Sequence, residues 1–271
     1  MSMDPRLGIV VFTGGAVLED PCVEFIARIH AHPELELLGV FCETSTVGLA
    51  GVARDLVRRR GWLASVLMLQ RALRRIWRVL LTPGRHFARR RTLRQLRPLI
   101  HFEADLHAPE VLGRVHALQP DLGAVYGGPI LRPALFGIPT LGTLGIHHGR
   151  LPDYRGKKTT FWAMHNGEDT VGVAIQRIGT GLDRGDVLRD TLLRVGLKPL
   201  PVVTRQLERL GLDLYLAALL DMRCGEPAFK PQPQGGGPLY RDPRAVDIAR
   251  FWARYLARLV VLRPTSRSGR S

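Results

Sequence analysis

Short apolar runs alternate with segments of helical spacing along most of the chain. Residues 7–13 (LGIVVFT) form a continuous β-branched and aromatic run that ends at two glycines. Such a run predicts a strand buried on both faces, as in a parallel sheet. Residues 20–32 carry apolar positions at helical spacing, and residues 37–41 form a second apolar run. This strand–helix–strand order predicts an α/β fold, Rossmann-like and doubly wound, with a mostly parallel sheet.

The same alternation returns in the second half of the chain. Strands are predicted over residues 121–126, 143–147, 171–178 and 186–194, and helices over residues 110–118, 202–221 and 245–261. Residues 231–237 (PQPQGGG) predict a linker. We therefore interpret residues 1–230 as the main domain and residues 231–271 as linker, C-terminal helix and tail.

A basic segment, residues 54–97, interrupts the alternation. The chain of 271 residues carries a net charge of +15, and this segment holds 14 arginines and one acid, or +13 of that charge. Apolar residues at helical spacing, arginines on the opposite face and a break at Pro83-Gly84 predict an inserted helical hairpin. Its arginines either face solvent or bind an anionic partner, which would be RNA or a membrane surface. The spacing of the arginines along the segment does not distinguish these alternatives.

Composition excludes several classes of protein. Hydrophobic residues make up 45% and charged residues 23%, which is typical of a globular chain and not of a disordered one. Three widely separated cysteines predict neither a disulfide framework nor a metal site, and they favour a reducing, cytoplasmic location. The first residues lack the pattern of a signal peptide, and arginines break every apolar run of the ~18 residues that a membrane span needs.

The residues best suited to catalysis or ligand binding lie between positions 142 and 188. His147 and His148 end a predicted strand, where open α/β sheets bind ligands. Asp183 lies in a glycine-flanked turn, Gly-Leu-Asp-Arg-Gly-Asp. A histidine with an orienting carboxylate acts as a general acid or as a cationic stabiliser of an oxyanion, and the alternative is a structural histidine.

Three motifs in this region resemble a known family. They are His147-x-Gly-x-Leu-Pro-x-Tyr-Arg-Gly, Trp162-Ala-x-x-x-Gly-Glu and Gly181-Leu-Asp-x-Gly-Asp. In this order and spacing they resemble the catalytic domain of the folate-dependent formyltransferases, and the resemblance covers roughly residues 7–220 without the basic segment. It implies a formyltransferase-type fold, 10-formyltetrahydrofolate as formyl donor, an amine as acceptor and no metal.

The resemblance also implies roles for individual residues. His147 would be the catalytic acid, and Asp183 would keep it cationic. The residues implied to bind the donor are Tyr126, Gly127, Gly128, Ile130, Leu131 and Leu182. The candidate residues on the acceptor side are Arg155, Lys157 and Lys158, with turn stabilisation as the alternative role for Arg155. The two lysines depart from the family, which has small residues at these positions, and would supply positive charge.

One departure from the family is Gly145, which stands where the family has a catalytic asparagine. Loss of one preorganised oxyanion donor costs ~10²–10³ in rate. Two hypotheses follow: an N-formyltransferase acting on a small, anionic amine such as an amino sugar, or a weakly active protein that binds RNA or membrane through its arginines. A methionyl-tRNA acceptor is not expected, since only residues 231–271 follow the main domain, where that member of the family carries a β-barrel.

Overall fold

The computed structural model describes residues 6–15, 18–44, 83–225, 227–233 and 235–261. They fall into two units, one up to Leu141 and one from Gly142. Most of the predicted basic hairpin, residues 54–82, lies outside the described residues. Its last part is a helix, Pro83–Leu96, close to the predicted second helix of the hairpin.

The first unit is built on a parallel sheet. Its strands are β1 (Leu7–Gly14), β2 (Leu35–Glu43), β3 (Ile100–Glu103) and β4 (Leu122–Val125), and its helices are α1 (Asp20–Ala31), α2 (Pro83–Leu96), α3 (Pro109–Ala117) and α4 (Pro133–Phe136). The strand order among the described residues of this unit is β3-β2-β1-β4, with every neighbour parallel. The predicted α/β fold class is confirmed.

Strand β1 lies at the centre of this unit because both of its faces are apolar. Its residues are buried from Leu7 to Thr13, and it pairs with β2 on one side and β4 on the other. Val10 and Phe12 pack with Phe41 of β2 in a core that α3 also covers. Asp121 fixes the start of the strand, since its carboxylate accepts the Gly8 N–H at 2.7 Å.

The second unit contains an antiparallel sheet covered by helices. Its strands are β5 (Thr143–His147), β6 (Arg155–Gly156), β7 (Thr170–Arg177), β8 (Val187–Arg194) and β9 (Leu239–Tyr240), and its helices are α5 (Thr159–Asn166), α6 (Leu200–Arg223) and α7 (Ala245–Val261). Strand β7 pairs with β5 and β8, and β6 pairs in parallel with β9. The two strands predicted over residues 171–178 and 186–194 are confirmed, and they pair with each other.

The structure adds elements that the sequence pattern did not predict. Strand β3 has four residues and β6 and β9 have two each, which is too short for a periodicity to be read. No helix in the described part of the chain has the length and apolar character needed to cross a membrane.

We predict that α6 stabilises the second unit through its apolar face. Leu207 is fully buried in the core of this unit, whereas Leu210 on the same helix is 36% exposed. Leu207→Ala should lower the free energy of unfolding by about 2–5 kcal/mol through lost burial and a residual cavity. Leu210→Ala is the matched control and should cost about 0.5 kcal/mol. Urea unfolding followed by circular dichroism measures both, and equal losses would contradict the packing.

Candidate functional site

His147 ends strand β5 and is held at both ring nitrogens. Its side chain is 6% exposed, and Ala174 lies opposite it on β7. Nε2 lies 2.7 Å from the carbonyl oxygen of Tyr154, and Nδ1 lies 3.3 Å from Oδ1 of Asp183. The structure therefore brings together the histidine and the aspartate that the sequence pairs.

A tight turn between β7 and β8 presents Asp183 to the imidazole. Asp183 has a φ of 54°, in the left-handed region that few side chains adopt. Gly185 is required nearby, because a Cβ at this position would overlap the carbonyl oxygen of Arg177. The second carboxylate oxygen accepts the Gly156 N–H at 2.7 Å, so the turn is tied to strand β6.

Both ring nitrogens of His147 face acceptors, a carbonyl oxygen and a carboxylate. A neutral imidazole has one N–H to donate and an imidazolium has two, so a neutral ring can donate to one of these partners and an imidazolium to both. To donate to a reacting group, His147 would exchange its bond to Tyr154 for a bond to that group.

His148 points away from this pair, as neighbouring positions along a strand do. Its Nε2 is buried without a hydrogen-bond partner in the described part of the chain, and a Cβ on Gly211 of α6 would lie 3.4 Å from it. Burial, with a smaller contribution from the charge of His147, lowers the pKa of His148 from 6.5 to about 4. His148 is therefore a neutral packing residue at pH 7.

Two glutamines complete the site, and sequence reasoning missed both. Gln176 of β7 is 3% exposed and donates from Nε2 to Oδ1 of Asp183 at 3.2 Å. Gln232, from the predicted linker, donates to the Gly185 carbonyl at 2.6 Å and to Oε1 of Gln176 at 3.2 Å. The sequence signal for Gln176 is that it is a polar residue near the end of an otherwise apolar strand. No feature of the sequence points to Gln232.

The three residues implied for the acceptor side differ in their surroundings. Arg155 is 7% exposed, and its Nε and Nη2 donate to the Gly237 carbonyl at 3.0 and 2.6 Å, which favours the turn-stabilising role. Lys157 is exposed, 3.8 Å from Asp242, and Lys158 is exposed just before α5. Substrate contact by any of the three stays a prediction.

The residues implied for donor binding divide between core and surface. Tyr126 and Leu131 are buried side chains of the first unit, whereas Ile130 there and Leu182 in the second unit are exposed. A Cβ on Gly128 would come within 3.3 Å of the Thr13 backbone, so this segment requires glycine for close chain approach. Donor binding stays a prediction.

One group in the first unit has the residue types of a metal site. Ligand atoms of Glu43, Asp105 and His107 lie within 4.8 Å of one another. Each has a backbone partner: Glu43 accepts the Leu106 N–H, Asp105 the His107 N–H, and Nε2 of His107 the Arg132 N–H. The His107 N–H is the main reason that the pKa of Asp105 is lowered. The three side chains thus bind main-chain groups of the loops that follow β3 and β4.

Comparison with known proteins agrees with this geometry. The family described as formyl transferase matches residues 85–198, which include His147, Asp183 and Gln176. This part of the chain is similar to the formyl transferase family, and the match spans both residues of the His147–Asp183 pair.

Relatives of known sequence or structure extend the comparison. Methionyl-tRNA formyltransferase of Chloroflexus aggregans is 40% identical over 131 residues, which are 47% of this chain and 42% of the relative. The chain thus spans less than half the length of that relative.

Solved structures agree on the fold. Phosphoribosylglycinamide formyltransferase from Bacillus halodurans has a TM-score of 0.54 at 16% identity, covering 80% of this chain and 95% of its own. HypX from Aquifex aeolicus, in complex with tetrahydrofolic acid, has a TM-score of 0.54 at 14% identity, covering 91% and 34%. At such low identities these similarities concern the fold.

The buried His148 should make stability depend on pH. Its pKa is about 4 in the folded chain and 6.5 in the unfolded chain, so the unfolded chain binds more protons between these values. The neutral His148 ring contributes fully to the free energy of unfolding above pH 6.5, and this contribution is lost as the pH falls toward 4. Chemical unfolding at pH 7 and 4.5 measures the loss, which should shrink in His148→Leu. The exposed His116→Leu is the control; an identical loss in both variants would contradict the assignment.

Proposed function

We propose that this protein transfers a formyl group from 10-formyltetrahydrofolate to the amine of a small, anionic acceptor. The observation that carries the proposal is the pair of the buried His147 and the 13% exposed Asp183, 3.3 Å apart, within the segment that matches the formyl transferase family. The family match supports the reaction class, and a structural neighbour solved with tetrahydrofolic acid supports a folate donor. The negative charge of the acceptor is proposed from two exposed lysines, Lys157 and Lys158, that follow the strand bound to Asp183.

In this proposal the chain provides an acid and a rigid frame. The donor supplies an activated formyl group, whose oxygen gains negative charge as the amine attacks. The His147 ring, held by Asp183, turns its Nε2–H from the Tyr154 carbonyl toward that oxygen. Because the pair is buried, the charge interaction is stronger than it would be in water. The acceptor nitrogen would lose a proton, the bond between the formyl carbon and the donor nitrogen would break, and that nitrogen would take up a proton, so that tetrahydrofolate leaves. Asp183 would keep the His147 ring oriented throughout.

The residues implied for the donor fit a flat ring bound through main-chain groups. Gly127 has a φ of 57°, and Gly128 allows close approach of the Thr13 backbone, so this segment presents main-chain groups without side chains. Gly127 and Gly128, with Tyr126, Ile130, Leu131 and Leu182, are the residues we propose for the donor.

An anionic acceptor is proposed from two lysines that follow the catalytic frame. Gly156 binds the Asp183 carboxylate, and Lys157 and Lys158 are the next two residues, both exposed. Lysines attract phosphate or carboxylate groups as point charges. An acceptor with such a group would be drawn to this segment.

The acid role of His147 predicts a loss of catalysis without a loss of folding. His147→Gln and Asp183→Asn should each lower kcat for formyl transfer by about 10²–10⁴-fold, the usual contribution of a positioned acid or base. The exposed Asp186→Asn is the matched control and should keep wild-type turnover. Turnover near the wild-type value in His147→Gln would exclude His147 as the acid.

The acceptor is tested by supplying candidates of different size and charge. The protein is incubated with 10-formyltetrahydrofolate and a panel of phosphorylated amines, amino sugars, neutral amines and methionyl-tRNA, and mass spectrometry detects the added formyl group. We expect the anionic small amines to react fastest, and Lys157→Ala/Lys158→Ala to raise their KM. Transfer to methionyl-tRNA alone would refute the small acceptor, and transfer to no amine would refute the reaction.

Gly145 provides a separate prediction. It lies directly opposite Gln176 in the β5–β7 pair, and opposed side chains share one face of a sheet. Gly145→Asn should therefore not raise turnover, because the new amide would compete with Gln176 for the same space. Steady-state kinetics of the variant measures this; a large gain would show that the site lacks only the family's asparagine.

A further inference from the structure

The segment that the sequence predicts as a linker is bound along the catalytic turn. We call residues 227–233 and 235–240 the strap. At one end Lys230 exchanges two backbone hydrogen bonds of 2.8 Å with Val187 of β8. At the other end β9 pairs with β6, and the Gly237 carbonyl accepts two bonds from Arg155. A segment anchored at both ends crosses the turn in a fixed position.

Gln232 lies between these anchors and binds the turn. Its Nε2 donates to the Gly185 carbonyl at 2.6 Å, and it lies 3.3 Å from the Asp183 carbonyl and 3.2 Å from Oε1 of Gln176. Asp183 holds a left-handed backbone conformation, which is unfavourable for a residue with a side chain and persists only where neighbours hold it. Gln232 lies against the carbonyl groups of Asp183 itself and of Gly185, two residues further along the chain.

The bonds also fix the orientation of the Gln176 amide. An ionised carboxylate only accepts hydrogen bonds, so the nitrogen of Gln176 must face Asp183 and its oxygen must face Gln232. The reverse orientation would place two acceptors against each other at Asp183 and two donors against each other at Gln232. The donors therefore run in one direction, from Gln232 to Gln176 to Asp183, whose carboxylate faces His147.

We propose that Gln176 and Gln232 are positioning residues that form an amide relay, which aims the Asp183 carboxylate at His147. The proposal rests on the proposed formyl transfer and goes beyond it by assigning the strap to the catalytic machinery. Gln176 comes from β7 and Gln232 from the strap. Gly145 of β5, which has no side chain, lies opposite Gln176. Neither glutamine touches the reacting atoms; each acts through Asp183.

The relay is tested by replacing each glutamine with methionine, which has a similar length and no hydrogen-bonding amide. Gln176→Met and Gln232→Met should each lower kcat about 10- to 100-fold, as loss of a group that orients a catalytic residue does. KM for the donor should change by less than about twofold, since no substrate contact is removed. The exposed Gln206→Met on α6 is the matched control and should keep the wild-type values.

A second measurement does not depend on activity. In protein labelled with ¹⁵N-histidine, the His147 signals are identified by their loss in His147→Gln. At pH 7 the Nδ1 chemical shift of His147 should move in Gln176→Met and Gln232→Met, because Asp183 no longer faces it in one geometry. Gln206→Met should leave the shift unchanged. A merely structural role would lower thermal stability without moving this signal.

The outcomes separate the two proposals. If the wild-type protein transfers no formyl group, the proposed function fails, and the Nδ1 shift alone decides the relay. If the shift keeps its wild-type position in both variants, the relay is overturned, whether or not transfer occurs. Gln176 is buried, so a Gln176→Met protein that fails to fold by circular dichroism leaves the decision to Gln232→Met on the half-exposed strap.

Discussion

The Asp183 carboxylate, whose side chain is 13% exposed, makes the interactions on which the rest of the site depends. A carboxylate removed from water is costly unless hydrogen bonds and opposite charge compensate it. Asp183 meets this requirement with the Gly156 N–H, the Gln176 amide and the His147 ring, which come from three separate segments of the second unit. The need to compensate one charge therefore joins β5, β6 and β7 at a single point.

This arrangement explains why both nitrogens of His147 are engaged. The ring lies between a carboxylate and the Tyr154 carbonyl, two acceptors that only an imidazolium satisfies together. In the proposed reaction Nε2 of His147 would donate to the reacting oxygen in place of the Tyr154 carbonyl. In the proposed reaction the exchange of that one hydrogen bond is the only local change that His147 needs to make.

The C-terminal strap extends the site beyond the part of the chain that matches the family. The match ends at residue 198, whereas Gln232 and Gly237 bind the catalytic turn and Arg155 from further along the chain. The buried guanidinium of Arg155 thus has a role in anchoring the strap. Lys157 and Lys158, which are exposed, are then the residues proposed to bind the anionic acceptor.

The sequence by itself determined the α/β class, most of the helices and strands, and the pairing of His147 with Asp183. Apolar periodicity predicts long elements such as β1 and α6 because burial acts on many residues at once, and the two residues proposed to be catalytic lie in motifs of fixed spacing. Only the tertiary structure decided the roles of Gln176, Gln232 and His148. The hydrogen bond between Gln232 and Gln176 joins residues 56 positions apart, and the burial of the His148 Nε2 depends on the helix packed against it. Both depend on how distant segments meet in space, which local sequence patterns do not encode.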